Sequence, residues 1–160
     1  MMDNYEIRAS RVDDVVEIIN VKADGFREEV LLYGHGPSID ASVEEESEFI
    51  QNKDGNNFSY VALDDGKIIG GLGGINKGNG CYYLGCIYVA MSYQNKGVGK
   101  MLMEYLDTIF KDARIWTLET PYKSYRNHHF YEKLGYVKIG ETEPREDGFY
   151  LYCYEKKLPN

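Results

Sequence analysis

The stretch from Cys81 to Thr120 limits the fold more than any other part of the chain. Val98, Met101, Leu102, Tyr105, Leu106 and Ile109 recur at i, i+3, i+4, i+7, i+8 and i+11, which is one clean apolar face of a helix. An apolar run at residues 81–89 precedes this helix. Another follows at residues 115–120, where Pro121 is expected to stop the strand. A strand, a one-faced helix and a second strand make a right-handed crossover, so the two strands are expected to lie parallel in one sheet.

The neighbouring segments add antiparallel partners. Residues 58–63 and 67–75 flank Asp64-Asp65-Gly66, a hairpin signal, and residues 81–89 return after the turn chemistry of residues 76–80. Gly70, Gly71, Gly73 and Gly74 weaken the second of these strands but let another backbone approach closely. Upstream, Tyr5, Ile7 and Ala9 alternate as a short strand. Ser10 and Asp13 form a capping-box-like start to a helix whose apolar positions are Val12, Val15, Val16 and Ile19. Leu31-Leu32-Tyr33-Gly34-His35-Gly36-Pro37 reads as a loop. Ser42 and Glu45 open a second helix through Phe49 and Ile50, and residues 52–57 read as a turn. Downstream, Ser124 is expected to cap a helix ending at Leu134, with Gly135 at the left-handed position beyond it. Strands at residues 136–139 and 149–154 close the chain. The expected order is β-α-α-β-β-β-α-β-α-β-β, an α/β fold with a mixed sheet in a single domain over residues 1–160.

Composition removes several functional classes. Eighteen Lys and Arg against 26 Asp and Glu leave a net charge of −8, the wrong sign for neutralising nucleic-acid phosphates. An acidic balance permits a cationic ligand, although it also simply solvates a surface. No apolar run approaches the roughly 20 residues that span a bilayer. The opening MMDNYEIRAS lacks the apolar core of a signal peptide, so a cytoplasmic protein is expected. Cys81, Cys86 and Cys153 are an odd set without a CxxC pair, which argues against a disulfide framework. His128 and His129 are adjacent and diverge by about 100° on a helix, so no metal site is expected.

The chemistry concentrates in Gln94-Asn95-Lys96-Gly97-Val98-Gly99-Lys100, just before the regular helix. Two glycines at a helix start let backbone N–H groups reach a ligand, and the helix end adds about half a positive charge. With Lys96 and Lys100 this makes an anion cradle suited to phosphate. It is not a Walker loop, because Gln94 replaces the first glycine and Met101 the magnesium-binding hydroxyl. It is not a dinucleotide fingerprint, because Leu102 occupies the third glycine position.

Gln-x-x-Gly-x-Gly after the apolar strand through Ile87, Tyr88 and Val89 resembles the acetyl-CoA pyrophosphate loop of the GNAT superfamily of N-acetyltransferases. About thirty residues on, His129-Phe130-Tyr131-Glu132-Lys133-Leu134-Gly135-Tyr136 is similar to the FYEKLGF-type segment of the same superfamily. The resemblance covers residues 58–140 well; the first 57 residues match only in element order. It implies a mostly antiparallel mixed sheet, flanked by helices, with a central parallel pair splayed to admit acetyl-CoA. Main-chain groups of Ile87, Tyr88 and Val89 would pair with pantetheine like an added strand, and one N–H near Val89 would steady the acetyl oxyanion. The pyrophosphate would rest on Gln94, Asn95, Lys96, Gly97, Val98, Gly99 and Lys100.

The resemblance also implies catalytic roles. Amine attack requires loss of a proton from the acceptor and return of one to the leaving thiolate. Tyr131 matches the family tyrosine that serves as the acid, a role suited to a phenol with an ordinary pKa near 10. Glu119 stands where enzymes that acetylate ribosomal-protein N-termini have a catalytic glutamate, and is the candidate base; a solvated strand residue or a substrate contact are its alternatives. At the earlier strand position, where other members have a glutamate, this chain has Tyr83. Ser124 replaces the family's cofactor-contacting asparagine, and Asn127 is the candidate substitute. Cys86 lies beside the expected acetyl site, where the plain reading is a small buried thiol. The acceptor is an amine, small or on a peptide or protein. The loop from Tyr33 to Ser42 and the carboxylates Glu141, Glu143, Glu146 and Asp147 are candidates to line its side. A non-catalytic CoA-binding sensor or scaffold is the alternative function, and homodimer formation, frequent in the family, stays open.

Overall fold

In chain order the elements are β1 (Glu6–Ala9), α1 (Val15–Gly25), α2 (Arg27–Tyr33), α3 (Val43–Gln51), β2 (Asn57–Asp64), β3 (Lys67–Gly78), β4 (Cys81–Val89), α4 (Val98–Ile109), β5 (Ile115–Pro121), α5 (Tyr125–Lys133), β6 (Val137–Glu141) and β7 (Leu151–Lys157). Short 3₁₀ turns occur at Val12–Asp14 and Met91–Tyr93. The computed structural model describes residues 4–33, 42–52 and 54–159. The strands form one seven-stranded sheet in the order β1-β2-β3-β4-β5-β7-β6. As the crossover requires, β4 and β5 are parallel, Cys81 to Leu84 running beside Ile115 to Leu118. The pairs β1–β2, β2–β3, β5–β7 and β6–β7 are antiparallel. The chain divides into two units, Met1–Ile75 with Gly85–Lys111, and Asn76–Leu84 with Asp112–Asn160.

In the first unit, the β2–β3 hairpin closes through Asp65 (φ 52°) and Gly66 (φ 82°), the two left-handed residues of a type I′ turn. Its core gathers Ile18, Phe26, Val61, Leu63, Ile68 and Tyr88, with Val21, Ile50 and Cys86 packed against it. Each such side chain contributes about 1.5–3 kcal/mol on burial. Tyr88 explains two of the β3 glycines. A Cβ at Gly70 would stand 2.7 Å from the Tyr88 carbonyl oxygen, and one at Gly71 would overlap the Tyr88 hydroxyl. Lys22 of α1 and Glu46 of α3 are buried and face each other, with Nζ 3.0 Å from both carboxylate oxygens.

Three expectations for the N-terminal part are corrected. The first helix is not capped by Ser10 and Asp13. Ser10 Oγ lies 2.7 Å from Ser59 Oγ, while Asp14 accepts the Arg11 N–H at 2.7 Å and two hydrogen bonds from the Arg8 guanidinium. Those bonds hold the Asp14 carboxyl below its usual range. The tighter winding of the 3₁₀ turn changes the helical phase, so Val15, Ile18 and Lys22 are buried while Val12 and Val16 are exposed. Finally, Leu31, Leu32 and Tyr33 belong to a helix, α2, whose first turn holds Glu28 and Glu29 in favourable contact with its dipole. Gly34, Gly36 and Pro37 follow α2 in sequence, and residues 34–41 lie outside the described residues. Among the described residues three α-helices therefore separate β1 from β2. The capping box at α3 is as expected, with Ser42 Oγ accepting the Glu45 N–H at 3.1 Å.

In the second unit, β5 pairs with β7 from Ile115↔Lys157 to Pro121↔Leu151. Pro121 thus ends β5 from within, at a terminal position where a missing N–H is tolerated. The last two strands begin and end later than expected, because Glu155, Lys156 and Lys157 extend β7 without an apolar signal. Trp116 stacks on its cross-strand neighbour Tyr82 at 4.9 Å, and Leu84, Leu118, Tyr131, Tyr136 and Tyr154 complete the buried set. Ser124 occupies the N-cap position of α5, and its carbonyl accepts the His128 N–H at 3.0 Å. Its side chain makes no capping bond, since φ −80° and ψ 68° depart from the extended geometry that aims a cap oxygen at the first turn. Gly135 is left-handed as expected, with φ 96°.

Candidate functional site

The loop between β4 and α4 has the backbone geometry expected of an anion cradle. Asn95 (φ 64°) and Gly97 (φ 86°) are both left-handed, the kind of alternation that turns successive N–H groups to one side. Gly97 is the N-cap of α4; its carbonyl accepts the Met101 N–H at 3.0 Å, and no side chain caps the helix. The first-turn N–H groups of Val98, Gly99 and Lys100 are those that an α-helix leaves without intrahelical partners. Gly97 has no side chain to cap this end of the helix, a geometry suited to an incoming anion. Lys96 and Lys100 are exposed, with Lys96 Nζ 5.5 Å from the Tyr93 ring centre.

The loop is held from behind by the end of α1. The Gln94 amide donates to the Val89 carbonyl at 2.9 Å and to the Gly25 carbonyl at 3.3 Å. Asp24 accepts the Met91 N–H at 2.7 Å, and the Tyr93 hydroxyl donates to Asp64 at 2.6 Å. Ala90 N–H is taken by the Ile69 carbonyl at 2.9 Å. The Gln94 side chain therefore shapes the loop, while the Val89 carbonyl and Ala90 N–H are already engaged. Asp24 and Gly25 were not legible as part of the site, because an Asp-Gly ending a helix is ordinary chain punctuation.

Gly25 provides a test whose sign separates two effects. Helix propensity alone favours alanine over glycine by about 1 kcal/mol. A Cβ at Gly25 would, however, stand 2.6 Å from the Val89 carbonyl oxygen and 3.2 Å from its carbon, both backbone atoms that cannot swing aside. Gly25→Ala is expected to destabilise by about 1–3 kcal/mol, lowering the midpoint of thermal unfolding followed by circular dichroism. An unchanged or raised midpoint would mean that the clamp yields freely.

The remaining candidates lie in the second unit. Glu119 is exposed on β5 and accepts a hydrogen bond from the Tyr83 hydroxyl at 3.0 Å; the Cys153 thiol lies 3.9 Å from its other oxygen. Partial burial, and then the Glu119 charge, push the Cys153 thiol up, which keeps it a protonated donor. Among the described residues no cation pairs with Glu119. Tyr131 is buried on α5, with its ring 5.3 to 6.2 Å from those of Phe130, Tyr136 and Tyr154. Strand alternation puts Glu119 and Cys153 on one face of the sheet, and Leu118 with Tyr154, against which Tyr131 packs, on the other. Asn127 donates to the Thr120 hydroxyl at 3.2 Å, so it ties α5 to β5. His128 is buried with Nε2 2.9 Å from the Pro121 carbonyl oxygen.

Other candidates take plainer roles. Tyr88 is a core side chain, so only its main chain can face a ligand strand. Cys86 packs on the first unit's core, and burial raises its pKa, which makes a nucleophilic thiolate scarce. Glu141 is paired with Lys138 at 2.6 Å, Asp147 accepts the Phe149 N–H at 3.0 Å, and all four carboxylates of that stretch are exposed. The loop assigned to the acceptor side falls largely outside the described residues. Among the described residues no cluster of three metal-ligating side chains occurs, and no helix is long and apolar enough to cross a membrane.

The signature of the acetyltransferase (GNAT) family matches residues 24–136. The uncharacterized protein YrkN of Bacillus subtilis (strain 168) is 33% identical over 79 residues, 48% of this chain and 43% of that protein, so the chain matches less than half the length of this relative. The PaiA N-acetyltransferase of Thermoplasma acidophilum, solved with coenzyme A, superposes with a TM-score of 0.82 at 20% identity, covering 98% of this chain and 100% of that one. The ribosomal-protein-S18-alanine N-acetyltransferase of Escherichia coli superposes with a TM-score of 0.74 at 17% identity, covering 96% and 93%.

Proposed function

Because the chain belongs to the acetyltransferase (GNAT) family, we propose that it is a single-domain N-acetyltransferase, moving the acetyl group of acetyl-CoA directly to a primary amine. The observation that carries the reading is the uncapped, left-handed Gly97 start of α4, at the end of the loop that follows β4, which fits a pyrophosphate. The coenzyme A bound to the Thermoplasma acidophilum neighbour supports the same cofactor.

Acetyl-CoA supplies a thioester that is open to attack by an amine. The N–H groups of residues 95–100, the dipole of α4 and the ammonium groups of Lys96 and Lys100 hold the pyrophosphate. Pairing with pantetheine falls to the main-chain groups of Ile87, Tyr88 and Val89 other than the Val89 carbonyl, which Gln94 occupies. Ser124 and Asn127 contact the cofactor from the start of α5. Glu119 takes the proton from the incoming ammonium, and an exposed carboxylate that pairs with no cation among the described residues suits a positively charged acceptor. The Tyr131 hydroxyl returns a proton to the departing sulfur. The acceptor is the amine of a small molecule, a peptide or a protein, and the protein acts in the cytoplasm.

Calorimetric titration with acetyl-CoA, beside thiol release measured over a panel of polyamines, aminoglycosides, amino acids and peptides, tests the proposal. Binding with turnover on one amine class is the expected outcome. Binding without turnover on any class would favour a non-catalytic CoA-binding module, and no binding would overturn the reading of Gln94 to Lys100.

A further inference from the structure

We infer that Tyr83 is a positioning residue for Glu119, holding the carboxylate in one orientation without neutralising it; this rests on the proposed role of Glu119 as base. Tyr83 projects from β4, Glu119 from β5 and Cys153 from β7, and the ladders Tyr83↔Thr117 and Glu119↔Cys153 fix the three side chains on one face. The phenol donates to Oε1 at 3.0 Å, and the thiol makes a longer and weaker approach to Oε2 at 3.9 Å. An exposed glutamate otherwise has several rotamers open to it, and each unproductive one removes the base from reach of its proton.

The donors are neutral, and this decides what the cluster can do. An arginine or lysine would orient the carboxylate equally well, but it would also repel an incoming ammonium and compete for the same oxygens. A phenol orients the group and leaves its charge for the acceptor. Lys77 is turned to the Tyr83 ring, with Nζ 5.5 Å from its centre. Register also puts Cys81 of β4 and Cys153, Glu155 and Lys157 of β7 on this face, Lys157 being paired with Glu155 at 3.8 Å; Glu141 of β6 stands opposite Tyr152 on the other face, and its charge still reaches Cys153.

The test is a double-mutant cycle in the whole protein with Tyr83→Phe, Glu119→Gln and the pair. Tyr83→Phe is expected to lower kcat about tenfold, with the KM for the amine changed by less than about twofold, and to add nothing in the Glu119→Gln background. The carbon-13 chemical shift of the Glu119 carboxylate at one fixed pH, which needs no acceptor, is the second readout. Loss of the phenol's hydrogen bond to Oε1 is expected to move that signal, a movement that a hydroxyl without contact to the carboxylate would not produce. Wild-type kcat in Tyr83→Phe, an equal loss in both backgrounds, or an unmoved carboxylate signal would each overturn the inference. Full activity in Glu119→Gln would instead overturn the base assignment, which keeps the two failures distinct.

Discussion

Glu46→Ala is expected to cost about 3–5 kcal/mol of stability and to lower the thermal midpoint by roughly 6–20 °C for a chain of this size. Lys22 and Glu46 keep only 5% and 7% of their side-chain surface exposed, and both carboxylate oxygens lie 3.0 Å from the ammonium. Removing the carboxylate strands a buried positive charge beside Cys86, with the Tyr88 ring centre 5.5 Å from Nζ as its remaining support. The cost comes chiefly from that abandoned charge, because the desolvation of an intact pair largely offsets its attraction. Replacing both partners, Lys22→Met with Glu46→Leu, is therefore expected to recover most of the loss. Thermal and denaturant unfolding of the two variants checks this. A loss below about 1 kcal/mol in Glu46→Ala would mean that the ammonium reaches water easily.

Tyr131→Phe should have the largest effect on turnover, lowering kcat by about 10²- to 10³-fold. Acetyl-CoA affinity should change little, because the ring keeps its packing on Phe130, Tyr136 and Tyr154. Tyr82→Phe is the matching control. That hydroxyl is tied to Asp112 at 2.8 Å, so its removal should weaken the fold and leave kcat in place. Stopped-flow and steady-state thiol release over pH 6–10 separate these outcomes; a kcat for Tyr131→Phe within a few fold of the wild type would remove the tyrosine from the mechanism.

What could be read ahead of the structure was what the chain specifies locally. The α4 face, the Asp65-Gly66 hairpin and the Ser42–Glu45 cap each depend on residues a few positions apart, and each stands as expected. The crossover rule then carried the local pattern to the parallel β4–β5 pair. The Ser10 reading failed because two serines meet across strands far apart in the chain, a competitor that no short window contains. α2 was hidden because Gly34, Gly36 and Pro37 follow it so closely in sequence that one window takes in both. The loop motif was visible, yet the α1 end that fastens it was not. Likewise Glu119 could be singled out, but its neighbours Tyr83 and Cys153 stand 36 and 34 residues away, brought to it by ladder register alone.

The β1–β2 ladder has a consequence for synthesis. Ile7 pairs with Ala62, so β1 leaves the ribosome about fifty-five residues before its partner. At roughly 5–20 residues per second, that is a wait of roughly 3–11 s. The β2–β3 hairpin, by contrast, closes across two residues on a scale of about microseconds once both strands have emerged. For those seconds β1 presents open backbone edges with nothing of its own unit to pair with. Its brevity, four residues with Glu6 and Arg8 among them, keeps that nascent edge a poor template for other chains.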